Sequence, residues 1–216
     1  MEKSGQEPTL RGRIRVPSGI REFPPVRRYL IIPLFAALLA PALRASPATI
    51  TIASRTLPRT VTVGGRTLAL NGAGVRYYAI FFRVYVGALY LPTPTHSAHV
   101  ALAEHGPDRI VMDFLRGVGH GDLVSAWKSG FRRNNSPTVR RALAPEIHRF
   151  IALWTRVHNH DMVLLDYVPG KGTTVRLDSK SLGVFPGRRF HEALLRIWLG
   201  PHPPTHSLKH RLLGRH

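Results

Sequence analysis

Apolar residues occupy both parities of one long run. It lies within residues 71–92, NGAGVRYYAIFFRVYVGALYLP. Tyr77, Ala79, Phe81 and Tyr85 fall on one parity, and Tyr78, Ile80, Phe82 and Val84 on the other. A strand apolar on both faces is covered on both faces, so the run predicts the central strand region of a sheet. Asn71-Gly72-Ala73-Gly74 reads as a turn leading into it, and Arg76 and Arg83 interrupt it. A guanidinium in such a strand must reach water, a carboxylate or a bound anion, because burying it unpaired is too costly.

The remaining pattern is simpler. Residues 48–54 and 60–63 alternate apolar with polar and predict strands, Gly64-Gly65 a hairpin turn, and 66–70 the returning strand. Residues 92–104 predict a loop and a short helix, and 108–115 a strand. The spacing of Leu123, Trp127 and Phe131 predicts a helix over 119–134, ended by Asn134-Asn135-Ser136-Pro137. A second helix is predicted from about Pro145, burying Ile147, Phe150, Ile151 and Trp154. Strands follow over 162–167, 173–177 and 182–185. A helix over 188–199 carries Phe190, Leu194, Ile197 and Trp198 on or near one face, and Gly200-Pro201 stops it. The tail predicts a short amphipathic helix through Leu208 and Leu212. Strands, a helical block, then a hairpin and a helix imply an α+β fold with helices on one antiparallel sheet, not an alternating βαβ plan.

The N-terminal part follows another plan. Residues 1–26 are polar, rich in Pro, Gly and Arg, and have no apolar period; they read as a disordered leader or as sequence preceding the true translation start. Arg27-Arg28 is then followed by YLIIPLFAALLAPAL. Charge, apolar run and small residues make residues 27–45 a signal peptide, with cleavage after Ala42, Ala45 or Ala48. The run is short for a spanning helix, and Pro33 and Pro41 break it. Export is the expectation, to the periplasm in a Gram-negative source, with no membrane span in the mature chain.

Composition modifies this picture in two ways. Cysteine is absent, which excludes disulfides, thiolate metal sites and cysteine nucleophiles. The formal charge is +19, but the cations are dispersed, form no one-sided helical stripe and accompany no nucleic-acid motif. They read as solvated surface, and nucleic acid is not the expected partner. His202, His206 and His210 are spaced by four, which in a basic, Pro-rich tail reads as incidental rather than chelating.

Five segments in order carry a family resemblance: Asn71-Gly72-Ala73-Gly74-Val75-Arg76, Val84-Tyr85-Val86-Gly87-Ala88-Leu89-Tyr90-Leu91, Ala126-Trp127-Lys128-Ser129-Gly130-Phe131, Leu165-Asp166-Tyr167-Val168-Pro169-Gly170 and Ala193-Leu194-Leu195-Arg196-Ile197-Trp198-Leu199-Gly200. Together they resemble the bacterial chalcone isomerase-like proteins, over residues 48–214. The resemblance implies an open-faced β-sandwich: an antiparallel sheet with helices layered on one face and a ligand cleft between the layers. Relatives include enzymes that cyclise chalcones, fatty-acid binders and members that carry haem.

Carried over by position, Arg76 matches the arginine that holds an oxyanion in the enzymes and a carboxylate in the binders. Tyr85 stands where the enzymes have a threonine and the binders a tyrosine. His120 lies near the place of a catalytic tyrosine, Trp127 where an asparagine stands, and His191 where a small hydroxyl residue stands. The resemblance therefore implies a binder of a small apolar carboxylate or phenolic ligand, with Arg76, Tyr85, Trp127 and His191 in contact and Phe81, Phe82 and Leu195 adding apolar wall. An intramolecular lyase, with Arg76, Tyr85 and His120 as catalytic candidates, is the alternative. A haem protein ligated through His191 is a second alternative. Arg76 and Tyr85 are nine residues apart, an odd separation that puts them on opposite faces of an unbroken strand. If both line one cleft, the chain must turn or bulge between them, near residues 78–80. The competing structural reading pairs Arg76 with Asp113, Asp122 or Glu192.

Overall fold

The computed structural model describes residues 48–79 and 81–215. The leader and signal peptide expected over 1–26 and 27–45 lie outside the described residues. Strands β1 (Thr49–Ile52) and β2 (Arg55–Pro58) pair as a separate hairpin. Strands β3 (Thr60–Val63), β4 (Arg66–Tyr78), β5 (Phe82–Leu91), β6 (Asp108–Phe114), β7 (Met162–Val168), β8 (Gly172–Leu177) and β9 (Lys180–Phe185) form one antiparallel sheet in sequence order. The sheet curls into a half-barrel, which brings the β3–β4 turn at Gly64 against Val168 of β7.

Six helices accompany the described strands: α1 (Ala98–Ala103), α2 (His120–Asn134), α3 (Pro137–Ala142), α4 (Ala144–Ala152), α5 (Arg188–Leu199) and α6 (His206–Leu212). They pack on one face of the sheet. There Leu89, Ile110 and Leu165 meet Phe131, Phe150, Phe190 and Trp198 in the main core. On the other face Leu68, Val86, Ala88 and Tyr90 form a smaller core with Leu57 of β2, against which Ile50 and Ile52 of β1 pack. The fold is α+β, as the pattern predicts, and β5 is covered on both faces from Val84 to Leu91.

Two features of the 71–92 stretch differ from the expectation. Asn71-Gly72-Ala73-Gly74 is not a turn but the middle of β4. Its glycines let α6 approach the strand: a Cβ on Gly72 would lie 2.1 Å from the Arg211 carbonyl oxygen, and one on Gly74 2.5 Å from Arg211 Cβ. Asn71 fixes this contact. Its side-chain N–H donates to the Leu212 carbonyl (2.7 Å), and its Oδ1 accepts from the Thr95 N–H (2.6 Å). Secondly, Tyr77, Tyr78, Phe81 and Phe82 are not central strand. They surround the chain reversal between β4 and β5, where Ala79 takes φ +51°, and they are exposed. Positive φ supplied by alanine instead of glycine or asparagine hides the turn from the sequence.

Smaller differences have local causes. Ala53 and Ser54, both at positive φ, turn the chain so that residues 55–58 become a second strand. Ser136 accepts a hydrogen bond from the Val139 N–H and, with Pro137 in the first turn, starts α3 directly after α2.

Gly72→Ala is expected to destabilise the fold by roughly 1–3 kcal/mol, since backbone must move to admit the methyl. Thermal unfolding together with amide exchange in α6 checks this. Burial pushes the Tyr90 phenol up to about 12, while nearby Arg109 acts against the rise. A phenol raised above its ordinary 10.0 stabilises the fold below that pH and loses this contribution as pH climbs to about 12. Tyr90→Phe, which also deletes the hydrogen bond to the Pro58 carbonyl (2.9 Å), should cost about 1 kcal/mol at neutral pH. It should also flatten the stability loss across that alkaline window in denaturant titrations.

Candidate functional site

A cavity of about 660 Å³ opens among the turn end of β4 and β5, strand β6, and helices α2 and α5. Met112, Phe114, Leu123, Trp127, Ile197 and Trp198 line it with apolar surface, and the half-buried Arg76 and buried Tyr85 add polar groups. Arg116, Arg133, Asp122 and His202 contribute exposed polar lining.

The β4–β5 register explains how Arg76 and Tyr85 meet. They are cross-strand partners, and a register shift follows at once between Arg76 and Tyr77. Residues directly opposite in an antiparallel pair project to the same face. The reversal at Ala79 therefore supplies the break that the odd separation demands. The Arg76 guanidinium carbon lies 5.7 Å from the centroid of the Tyr85 ring, a cation–π distance.

The carboxylates proposed as partners for Arg76 are elsewhere or unbonded. Asp113 pairs with Arg55 at 2.8 Å, and Glu192 with Arg196 at 2.6 Å. Asp122 lines the cavity but forms no ion pair with Arg76. Arg76 Nε is buried and has no hydrogen-bond partner among the described residues. An unsatisfied buried guanidinium nitrogen is costly, and a ligand acceptor in the cavity would remove that cost.

Tyr85 is 3% exposed, and its hydroxyl oxygen accepts a hydrogen bond from Trp198 Nε1–H at 3.0 Å. Burial pushes the Tyr85 phenol above its ordinary value, although the Arg76 charge and the Trp198 bond act the other way. The phenol is therefore neutral at physiological pH. An indole N–H only donates, so Tyr85 must use its oxygen as the acceptor there, and its own proton is directed elsewhere. Arg76, beside it, is likewise donor-only. This end of the cavity thus presents positive charge and a hydroxyl proton with no acceptor between them among the described residues.

The other sequence-derived candidates separate. Trp127 does line the cavity, but it is also core: it stacks on Trp154 at 5.2 Å and meets Phe150 edge-on at 4.9 Å. Its indole N–H is buried without an acceptor among the described residues. His120 is exposed and does not line the cavity; its Nδ1 lies 2.8 Å from the Trp154 carbonyl oxygen, tying the start of α2 to the end of α4. His191 is also outside the cavity. It is buried against the sheet, with Nε2 2.7 Å from Asp108 Oδ2, Nδ1 3.4 Å from Thr173 Oγ1, and its ring stacked on Tyr167 at 3.9 Å. Leu195 lies in the main core and Phe81 on the exterior, while Phe82 borders the cavity.

Sequence reasoning missed Trp198 as a polar participant, and Arg116 and Arg133 as lining. Helical periodicity marks Trp198 only as core, whereas its donor role depends on Tyr85, 113 positions away. Arg116 and Arg133 carry no signal that separates them from the other dispersed arginines.

The family model for chalcone isomerase-like proteins matches residues 49–214. No curated protein matches the chain by sequence. Among solved structures, a fatty-acid binding protein of Arabidopsis thaliana superposes with a TM-score of 0.61 at 12% identity, covering 77% of this chain and 96% of that one. At that identity the likeness speaks for the fold, which is the same curled sheet with helices on one side. With the family match spanning most of its length, the chain belongs to the chalcone isomerase-like family.

Proposed function

We propose that the protein binds a small amphipathic carboxylate, a fatty or aromatic acid, in the cavity between the sheet and helices α2 and α5, and does not cyclise it. The observation that carries this reading is the buried Nε of Arg76, which lies on the cavity wall with no partner among the described residues. A guanidinium grips a carboxylate through two parallel charge-assisted bonds, and the Tyr85 hydroxyl adds a donor. The apolar lining, from Met112 to Trp198, suits the rest of such a ligand. The fatty-acid binding protein that shares the fold supports the same ligand class.

The cyclase reading keeps Arg76 and Tyr85 at the cavity but loses His120, which is engaged by the Trp154 carbonyl and lies outside it. Haem does not fit the residue assigned to hold it, because Asp108 and Thr173 face both ring nitrogens of His191. We further propose that binding takes place after export, on the strength of the charged and apolar segment 27–45. Tagged protein recovered uncleaved from the cytoplasm would contradict that.

Arg76→Gln should weaken binding of a long-chain fatty acid by roughly 100-fold, the loss expected for a pair of charge-assisted hydrogen bonds. Calorimetry on the delipidated protein measures it, with circular dichroism confirming the fold; unchanged affinity would overturn the proposal. Tyr85→Phe should cost roughly tenfold in affinity, the loss of one hydrogen bond to a charged acceptor. Trp198→Phe should cost less than Tyr85→Phe, because it releases the hydroxyl orientation without removing the donor.

A further inference from the structure

Among the described residues, six large hydrophobic side chains are exposed, and four of them sit on one hairpin end: Tyr77 at 38%, Tyr78 at 66%, Phe81 at 82% and Phe82 at 53%. The other two, Val100 and Val184, lie singly elsewhere. Scattered apolar residues on a surface are ordinary, whereas a contiguous aromatic cluster marks an interaction site.

The chemistry around this cluster is one-sided. Arg83 follows it directly and is exposed. Arg116, also exposed, places its guanidinium 5.5 Å from the Phe82 ring centroid. Of the acids nearby, Asp113 is held by Arg55 at 2.8 Å, which leaves Asp122 on the cavity wall. A second, open depression of about 530 Å³ on the outer side of the hairpin is lined by Arg55, Arg83, Arg116, Phe81 and Phe82 and contains no carboxylate. Tyr78 and Phe82 also border the ligand cavity, so the aromatic end is continuous with the mouth of the site.

We propose that the β4–β5 hairpin end docks onto an anionic lipid bilayer. Phe81, Phe82 and the two tyrosines enter the interfacial region, and Arg83 and Arg116 engage lipid phosphates. Aromatic rings favour this zone, and each arginine near an anionic leaflet adds attraction that salt weakens. A protruding aromatic end flanked by Arg83 and Arg116, neither with an acid partner among the described residues, matches that surface in shape and charge. The docking surface extends the ligand-binding reading: amphipathic acids partition into bilayers, and docking places the cavity mouth at their reservoir. Docking itself does not depend on what the cavity holds.

The cysteine-free sequence allows a local test in the full chain. Ala79→Cys, labelled with an environment-sensitive nitrobenzoxadiazole dye, reports at the hairpin, and Val184→Cys reports at the opposite edge of the sheet. Vesicles of phosphatidylcholine with phosphatidylglycerol should blue-shift and brighten the label at 79 but not at 184, and added salt should reverse the change. Adding Phe81→Ser and Arg83→Gln should weaken this response roughly tenfold or more. Both side chains are exposed, so folding is not at stake. No response at 79, an equal response at 184, or insensitivity to the double substitution overturns the proposal. A blue shift that grows with protein concentration without vesicles overturns it in favour of self-association. Fatty-acid affinity measured without vesicles separates the two readings. Its loss with docking retained would sink the ligand proposal alone, and its retention with docking lost would sink this one alone.

Discussion

The register of β4 on β5 is the constraint from which the site follows. Pairing Arg76 with Tyr85 puts a cation and a phenol on one face, and beyond the shift that follows, the paired residues Tyr77–Arg83 and Tyr78–Phe82 extend past the partners β6 gives to β5. Slipping the pairing by one residue would send the Tyr85 ring to the opposite face and leave Arg76 without it. The rest of the fold holds this register. The small core under Val86, Ala88 and Tyr90 supports β5 from one face, and α5 supports it from the other through the Trp198–Tyr85 bond. The sheet is therefore less a wall of the cavity than the device that sets its polarity.

That polarity is unusual for a protein interior. Several half-buried cations here are matched by carboxylates: Arg55 by Asp113, and Arg109 by Asp166. Asp166 also takes Arg176 at 2.9 Å, so one carboxylate serves two guanidinium groups. Like Arg76, Arg140 and Arg176 bury an Nε without a hydrogen-bond partner among the described residues, but of the three it is Arg76 that lines the cavity. Proteins tolerate such exceptions where a ligand completes them.

Much of the fold was legible from local chemistry. Helix α5 could be read to its ends because its apolar face, Gly200 and Pro201 agree, and the Gly64-Gly65 turn because glycine is what such turns require. What escaped depends on distant parts of the chain or on backbone angles that the residue type does not advertise. Gly72 and Gly74 carry the signature of a turn, and only α6, far along the chain, reveals them as a landing strip. The aromatic run from Tyr77 to Phe82 has the signature of a buried strand, and only the +51° φ at Ala79 makes it an exposed end. At the site, the necessity of a break between Arg76 and Tyr85 was legible from parity alone. That His120 and His191 belong to other neighbourhoods was not, since their partners, the Trp154 carbonyl and Asp108, are set by helix packing.

The seating of α6 on β4 has a consequence for the order of assembly. Asn71 and Leu212 are separated by 141 positions, so the surface around Gly72 and Gly74 is made early and covered late. During synthesis, which proceeds from the N-terminal side, β4 emerges long before the helix that closes it. Until then the strand that bears Arg76 lacks its outer layer, and the backbone carbonyls of 212 and 213 that engage Asn71 and His96 do not yet exist. The fold is thus latched from its far end: the strand that carries Arg76 gains its α6 contacts only once the last part of the described chain has been made.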